Sequence, residues 1–225
     1  MNAVTRIGSQ VRRLAGATVG IPPRQIDFHF AEDSPRYMYG NNATASLHFA
    51  VLSGFFPPAA MFFVESVRRY RERITDQRLK AEVSGFIGQE AIHSREHDRL
   101  NAFLKERGMD TAVAEKMVKA GLWLLSKLPA SQQLACTTFM EHFTASLAEQ
   151  LLTDENFRRQ ADPELLTLWE GHALEELEHK SVTYDVYNLV GNRWYQRLLA
   201  LPLVIGTLTP GLFISWSWMV AREGK

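Results

Sequence analysis

The chain has 225 residues, 46% of them apolar and 22% charged, which suits one globular domain with a substantial core. Its 25 basic and 25 acidic residues balance, so no basic excess marks a nucleic-acid surface and no nucleic-acid partner is expected. The one cysteine, Cys136, cannot form an internal disulfide and gives no sign of an oxidising compartment.

The N-terminus, MNAVTRIGSQVRRLAG, has arginines but no apolar signal-peptide core. A cytoplasmic location is expected, with attachment at the inner face of a membrane as an option raised by the C-terminus. Residues 1–56 read as an irregular arm, because Pro22-Pro23 and the Asp33-Ser34-Pro35 turn break any long helix. Residues 57–192 read as a helical bundle. A first helix is predicted from Pro57-Pro58, suited to a first turn, to about Ile74. A second runs from near Asp76 to near Gly108, a good C-cap residue. A connecting helix spans Thr111 to Leu128. A third helix runs from Ser131 to about Gln160, and a fourth from Asp162-Pro163 to near Gly191. Long helices with short breaks predict an all-α fold, a ferritin-like four-helix bundle with one added connecting helix. Residues 193–225 form a hydrophobic C-terminal segment. Leu198 to Ala221 holds no charged residue and is long enough to span a bilayer. Trp216 and Trp218 suit an interface, but Pro202, Gly206, Pro210 and Gly211 are expected to break the segment into short pieces. It then either dips into one leaflet or packs on the bundle or on a second subunit of a homodimer.

Two near mirror-image motifs carry the chemistry: Glu90-x2-His93-x3-His97 and His172-x3-Glu176-x2-His179. Steps of three and four return a side chain to one helix face. Each motif therefore stacks one carboxylate and two imidazoles along one side of a helix. These residues share their faces with apolar ones, Val83, Phe86, Ile87 and Leu104 on one helix and Leu165, Trp169, Val186 and Val190 on the other. Buried carboxylates and imidazoles at this density need compensation, and a divalent metal supplies it. Paired Glu-x2-His segments plus lone glutamates build the dimetal sites of ferritin-like bundles. Glu141, a lone acid among Leu134, Thr137, Thr138, Ala145, Ala148 and Leu152, fits as the third helix's ligand. His142 and Glu149 point aside, and Glu175 and Glu178 are expected to be solvated. The first helix supplies no acid on its apolar stripe of Phe56, Ala60, Phe63, Val67 and Ile74. Glu65 lies with Arg68, Arg69 and Glu72 on a solvated, ion-paired face. Tyr187 is expected in the core near the ligand face.

The chain resembles the predicted metal-dependent hydrolase family. The resemblance rests on Phe56-Pro57, Phe62-Phe63, Ser66-Val67-Arg68, FIGQEAIHSREH (Phe86 to His97), Glu141-His142 and HALEELEHKSVTYDVY (His172 to Tyr187). It covers most of the chain and implies a bound metal. The fourth-helix motif is also similar to that of ferritin-like di-iron aryl-amine N-oxygenases, in which the extra histidine ligates iron. That likeness implies Glu90, His93, Glu141, His172, Glu176 and His179 as ligands, with His97 as a further ligand or a supporting partner. The hydrolase family usually has Gly-Glu where this chain has Ala59-Ala60, so the first-helix acid is missing. The family also commonly extends beyond this chain's end.

A mixed carboxylate and imidazole site suits divalent iron, manganese or zinc. Two ions bridged by Glu90 and Glu176 would lie about 3.5–4 Å apart. The expected function is metal-dependent hydrolysis of a small, apolar molecule by activated water. A di-iron oxygenase or oxidase is the alternative, and a degenerate metal-binding or scaffold bundle is the third. No nucleophile motif or phosphate-binding glycine loop stands out.

Overall fold

The computed structural model describes residues 11–13, 21–26, 29–30 and 34–223. The N-terminal stretch in which no signal-peptide core was found lies largely outside them, as does Asp33 of the expected turn. The protein is an all-α bundle. Its helices are α1 (Ala43–Arg68), α2 (Gln77–Glu106), α3 (Ala112–Leu125), α4 (Ala130–Thr153), α5 (Glu155–Gln160), α6 (Pro163–Leu189) and α7 (Trp194–Arg222). One short antiparallel pairing, β1 (Val11–Arg13) with β2 (Arg24–Ile26), precedes them.

Local chemistry sets most boundaries. Asp76, Asp154 and Asp162 each cap the helix that follows by accepting from two backbone N–H groups. Gly108 and Gly191 take positive φ just past α2 and α6. The Asp154 cap divides the predicted third helix into α4 and α5.

Two proline readings need correction. Helix α1 begins at Ala43, capped by Asn42, so Pro57 and Pro58 lie inside it and not at its start. A proline at 57 leaves the Ser53 carbonyl without its helical donor. Asn101 Nδ2 from α2 donates to that carbonyl at 3.3 Å, a long-range repair that local sequence does not announce. In α7, Pro202 and Pro210 likewise fail to interrupt the helix. Both are exposed, so neither ring has to fit within the packed core.

The most extensive helix packing is of α4 on α6 and of α1 on α2. Further packing of α2 on α6 and of α1 on α4 closes four helices around one centre. Helix α3 covers α1, and α7 lies across α3, α4 and α1. Two apolar clusters fill the bundle. One gathers Val83, Phe86, Leu134, Val182 and Val186. The other gathers Leu47, Leu100, Leu104, Leu165 and Trp169. The mirrored motifs lie between these stretches on α2 and α6, so the fold places them midway along the bundle with apolar walls at both ends.

Candidate metal centre

Helix α2 presents Glu90, His93 and His97, α6 presents His172, Glu176 and His179, and α4 presents Glu141. All seven are buried. One donor atom each from Glu90, His93, Glu176 and His179 lies within 4.8 Å of the others. His179 Nδ1 is 3.0 Å from Glu90 Oε1 and 3.6 Å from Glu176 Oε1. His93 Nδ1 is 3.8 Å from Glu90 Oε1 and 3.7 Å from Glu176 Oε1. Glu141 Oε2 stands 3.4 Å from His179 Nδ1.

These donors meet as close charged neighbours, with few directed hydrogen bonds among them. Glu90 Oε1, His93 Nδ1, His179 Nδ1 and both Glu141 oxygens have no hydrogen-bond partner. Such groups are costly to bury unpaired. The separations match the roughly 3.4 Å edges of a tetrahedron drawn around an ion with bonds of about 2.1 Å. The donor set therefore fits a divalent cation.

The outward ring nitrogens are held. His93 Nε2 is 2.9 Å from Glu175 Oε2, and His179 Nε2 is 2.9 Å from Gln89 Oε1. Hydrogen bonds from these Nε2–H groups leave each Nδ1 free to face the centre, the arrangement that orients metal-binding imidazoles. Gln89 is held in turn, donating to Pro22 O and Glu178 Oε2. Arg24 donates to Glu175 and Glu178. Glu175 is thus not solvated as its helix neighbours suggest; it is 1% exposed, and Glu178 is half-buried. The compensating cation comes from β2, far away in sequence, where a helical wheel cannot see it.

His172 and His97 form a chain beside the cluster. Ser53 Oγ lies 2.9 Å from His97 Nδ1, His97 Nε2 lies 2.7 Å from His172 Nδ1, and His172 Nε2 lies 2.9 Å from Glu176 Oε1. Donation running from Ser53 toward Glu176 satisfies every ring nitrogen in it with both imidazoles neutral. Phe56 stacks on His97 and packs edge-on to His172, and Trp169 packs against His97. The polar group that α1 offers to the cluster's neighbours is therefore the Ser53 hydroxyl, two turns before the acid-less Ala60. Glu65, His142 and Glu149 are exposed, and Tyr187 is a core residue whose hydroxyl donates to Arg193 O.

Charge is distributed unevenly. Burial, with Glu176 close by, pushes the Glu141 carboxyl up to about 8. Burial opposes charge on His93, yet Glu175 and Glu90 outweigh it and raise the imidazole to about 10. Burial likewise opposes charge on His179, and Glu141, Glu176 and Glu90 raise it well above the usual value. Glu176 lies well below the ordinary carboxylate range: burial works against ionisation, but His172 and His179 prevail. His97 is driven well down by burial, then by His172 and His93. Without an ion, protons on His93 and His179 supply positive charge beside Glu90 and Glu176, and a proton on Glu141 leaves that carboxyl neutral.

The sequence reveals the motif residues and Glu141 because each interrupts an apolar face. Gln89, one turn before His93, carries the same signal but is not singled out among the sequence candidates. Ser53, Arg24 and Thr144, which donates to Glu176 Oε2 at 2.5 Å, carry no such signal. No curated protein and no solved structure matches the chain. The family model described as predicted metal-dependent hydrolase matches residues 22–225. The buried glutamate and histidine cluster accords with that match, and the chain belongs to the predicted metal-dependent hydrolase family.

Proposed function

We propose that the protein is a metal-dependent hydrolase whose centre is the Glu90, His93, Glu176 and His179 cluster with Glu141 beside it. The observation that carries this reading is the convergence of one donor atom each from Glu90, His93, Glu176 and His179 within 4.8 Å of one another in the buried interior. The donor set suits iron, manganese or zinc. A bound ion of this kind supplies Lewis acidity and lowers the pKa of a coordinated water to near neutrality.

The chain's own residues do the rest. Glu175 and Gln89 fix the two imidazoles through Nε2. Glu141, beside the cluster and ionised once a bound cation displaces its proton, is the group placed to accept a proton from a water in the centre. Phe56 and Trp169 form an apolar wall beside His97 and His172, which favours an apolar or aromatic substrate and excludes bulk water.

The mirrored motifs also support a ferritin-like dinuclear arrangement. A second ion would draw on Glu176, Glu141 and His172, and would displace the His172–Glu176 hydrogen bond. Ala60 removes the acid that α1 would have added. Elemental analysis of protein expressed with iron, manganese and zinc all available counts the ions. Assays of ester and amide substrates, with and without chelator, then test the reaction. Hydrolysis that is lost on chelation and in Glu141→Ala supports the reading. Two irons with oxygen consumption and no hydrolysis would replace it with a di-iron oxidase or oxygenase.

A further inference from the structure

We propose that the outer face formed by α7 and α3 docks on an anionic lipid surface, with α7 lying in the plane of the membrane. This inference is independent of the reaction at the metal centre.

Helix α7 has two unlike sides. Gln196, Ala200, Val204, Gly211, Ser215 and Met219 are buried against the bundle. The opposite side exposes Leu198 (65%), Ile205 (50%) and Phe213 (63%), with no charged residue between Arg197 and Arg222. Helix α3 continues the surface with Trp123, which is 58% exposed. The two helices touch closely: a Cβ on Gly121 would meet Thr207 O at 2.5 Å, and one on Gly211 would meet Met117 Cβ at 3.1 Å. Large exposed apolar patches of this kind mark interaction surfaces.

The charges around the patch select the partner. Lys116 and Lys127 on the α3 side, and Arg193, Arg197 and Arg222 at the ends of α7, are all exposed. Helix α7 contains no acid. Glu115, the one acid within α3, is paired with Lys119, and both lie near Asp98. Lys127 and Arg222 lie over the rings of Trp123 and Trp218. Apolar side chains, interfacial tryptophans and a cationic rim together match acyl chains beneath anionic headgroups. A second copy fits less well. Both ends of α7 expose arginines, and the C-cap Glu223 is taken up by Arg36 and Tyr37, so a twofold pairing through this face sets arginines against arginines whether the helices run parallel or antiparallel.

The same geometry argues against a membrane span. Met117 meets α7 at Gly211, near its middle, and Lys116 is the neighbour of Met117. A spanning α7 would carry that lysine to the depth of the bilayer core, where charge is expensive.

The test is flotation of the full chain with vesicles of phosphatidylcholine containing one-third phosphatidylglycerol, against phosphatidylcholine alone. Binding is expected to the anionic vesicles, with release by alkaline carbonate. Ile205→Asp combined with Phe213→Asp should abolish it while helical circular dichroism stays unchanged, since both residues are exposed. Lys116→Gln and Lys127→Gln should each weaken it about fivefold. Failure of the wild type to float overturns the proposal, as does retention after carbonate treatment. A stable dimer in sedimentation velocity that the aspartate pair dissociates, without flotation, would assign the face to a second copy instead.

Discussion

His93 Nε2 and Glu175 Oε2 stand 2.9 Å apart in the buried interior, and this pair decides which ring nitrogen faces the metal cluster. With Nε2–H donating to Glu175, the Nδ1 lone pair points at Glu90 and Glu176. Glu175→Ala frees the ring to turn or change tautomer and leaves Arg24 with one fewer partner. Such supporting hydrogen bonds are worth roughly 10–100-fold in metal affinity. Chelator competition with zinc or manganese is expected to show a loss of that size, and a smaller one for Glu175→Gln, whose amide oxygen still accepts. Unchanged affinity in the alanine variant would mean that His93 needs no such orientation.

Glu141 gives the pH dependence. Its folded-state carboxyl stands near 8, raised from 4.5 chiefly by burial. A raised group contributes stability below its unfolded pKa and loses it as pH climbs through the folded value. Glu141→Gln mimics the protonated form. Urea titrations of metal-free protein should therefore find wild type and variant alike near pH 4. The variant should gain about 1.4 kcal/mol for each pH unit above that, levelling off near pH 8. Adding metal should reverse the order at pH 8, because glutamine removes a charged donor while an ion neutralises glutamate. A gap independent of pH would show that Glu141 ionises normally.

Metal binding to this centre should itself release protons. His93, raised to about 10 by Glu175 and Glu90 against its burial, and Glu141 at about 8 hold protons that an ion must displace. Affinity is expected to rise with pH between 6 and 8. Calorimetry in buffers of different ionisation enthalpy reads the proton count directly, and a count of zero would place the ion elsewhere.

What was legible in the sequence follows from what a single helix can encode. A period of three and four, interrupted on its apolar face by Glu90, His93, Glu176 and His179, marks buried ligands without knowledge of any partner. Cap residues such as Asp162 are equally local. Other features depend on a second element. Pro57 sits inside α1 beside a carbonyl taken by Asn101, on another helix. Glu175 looks solvated until Arg24 arrives from β2. Ser53 has no reason to matter until α1 and α2 cross at His97.

That crossing is testable by itself. Ser53 is fully buried, and removing its hydroxyl leaves His97 Nδ1 without a donor. Ser53→Ala should cost about 1–3 kcal/mol in urea unfolding. In a His97→Phe background the same change should cost little, because the partner is already gone. Equal costs in both backgrounds would mean that the hydroxyl acts only through the Ser53 cavity.

Gly85 links the N-terminal strap to the metal centre. A Cβ there would stand 2.0 Å from Ile21 O, against backbone that cannot rotate away. Gly85→Ala must therefore push the Ile21–Arg24 stretch off α2. Pro22 O then leaves Gln89, and Arg24 leaves Glu175 and Glu178, loosening the supports of both His179 and His93. The intrinsic gain from a helical alanine, about 1 kcal/mol, works the other way. The packing clash, typically 1–3 kcal/mol, is expected to win, lowering stability and weakening metal retention together. Gly206→Ala on α7, where a Cβ meets nothing within 4 Å, is the control: it should raise stability slightly and leave metal content untouched. Loss of metal in both variants, measured by elemental analysis after dialysis, would mean that helix α2 does not transmit the strap's position to the cluster.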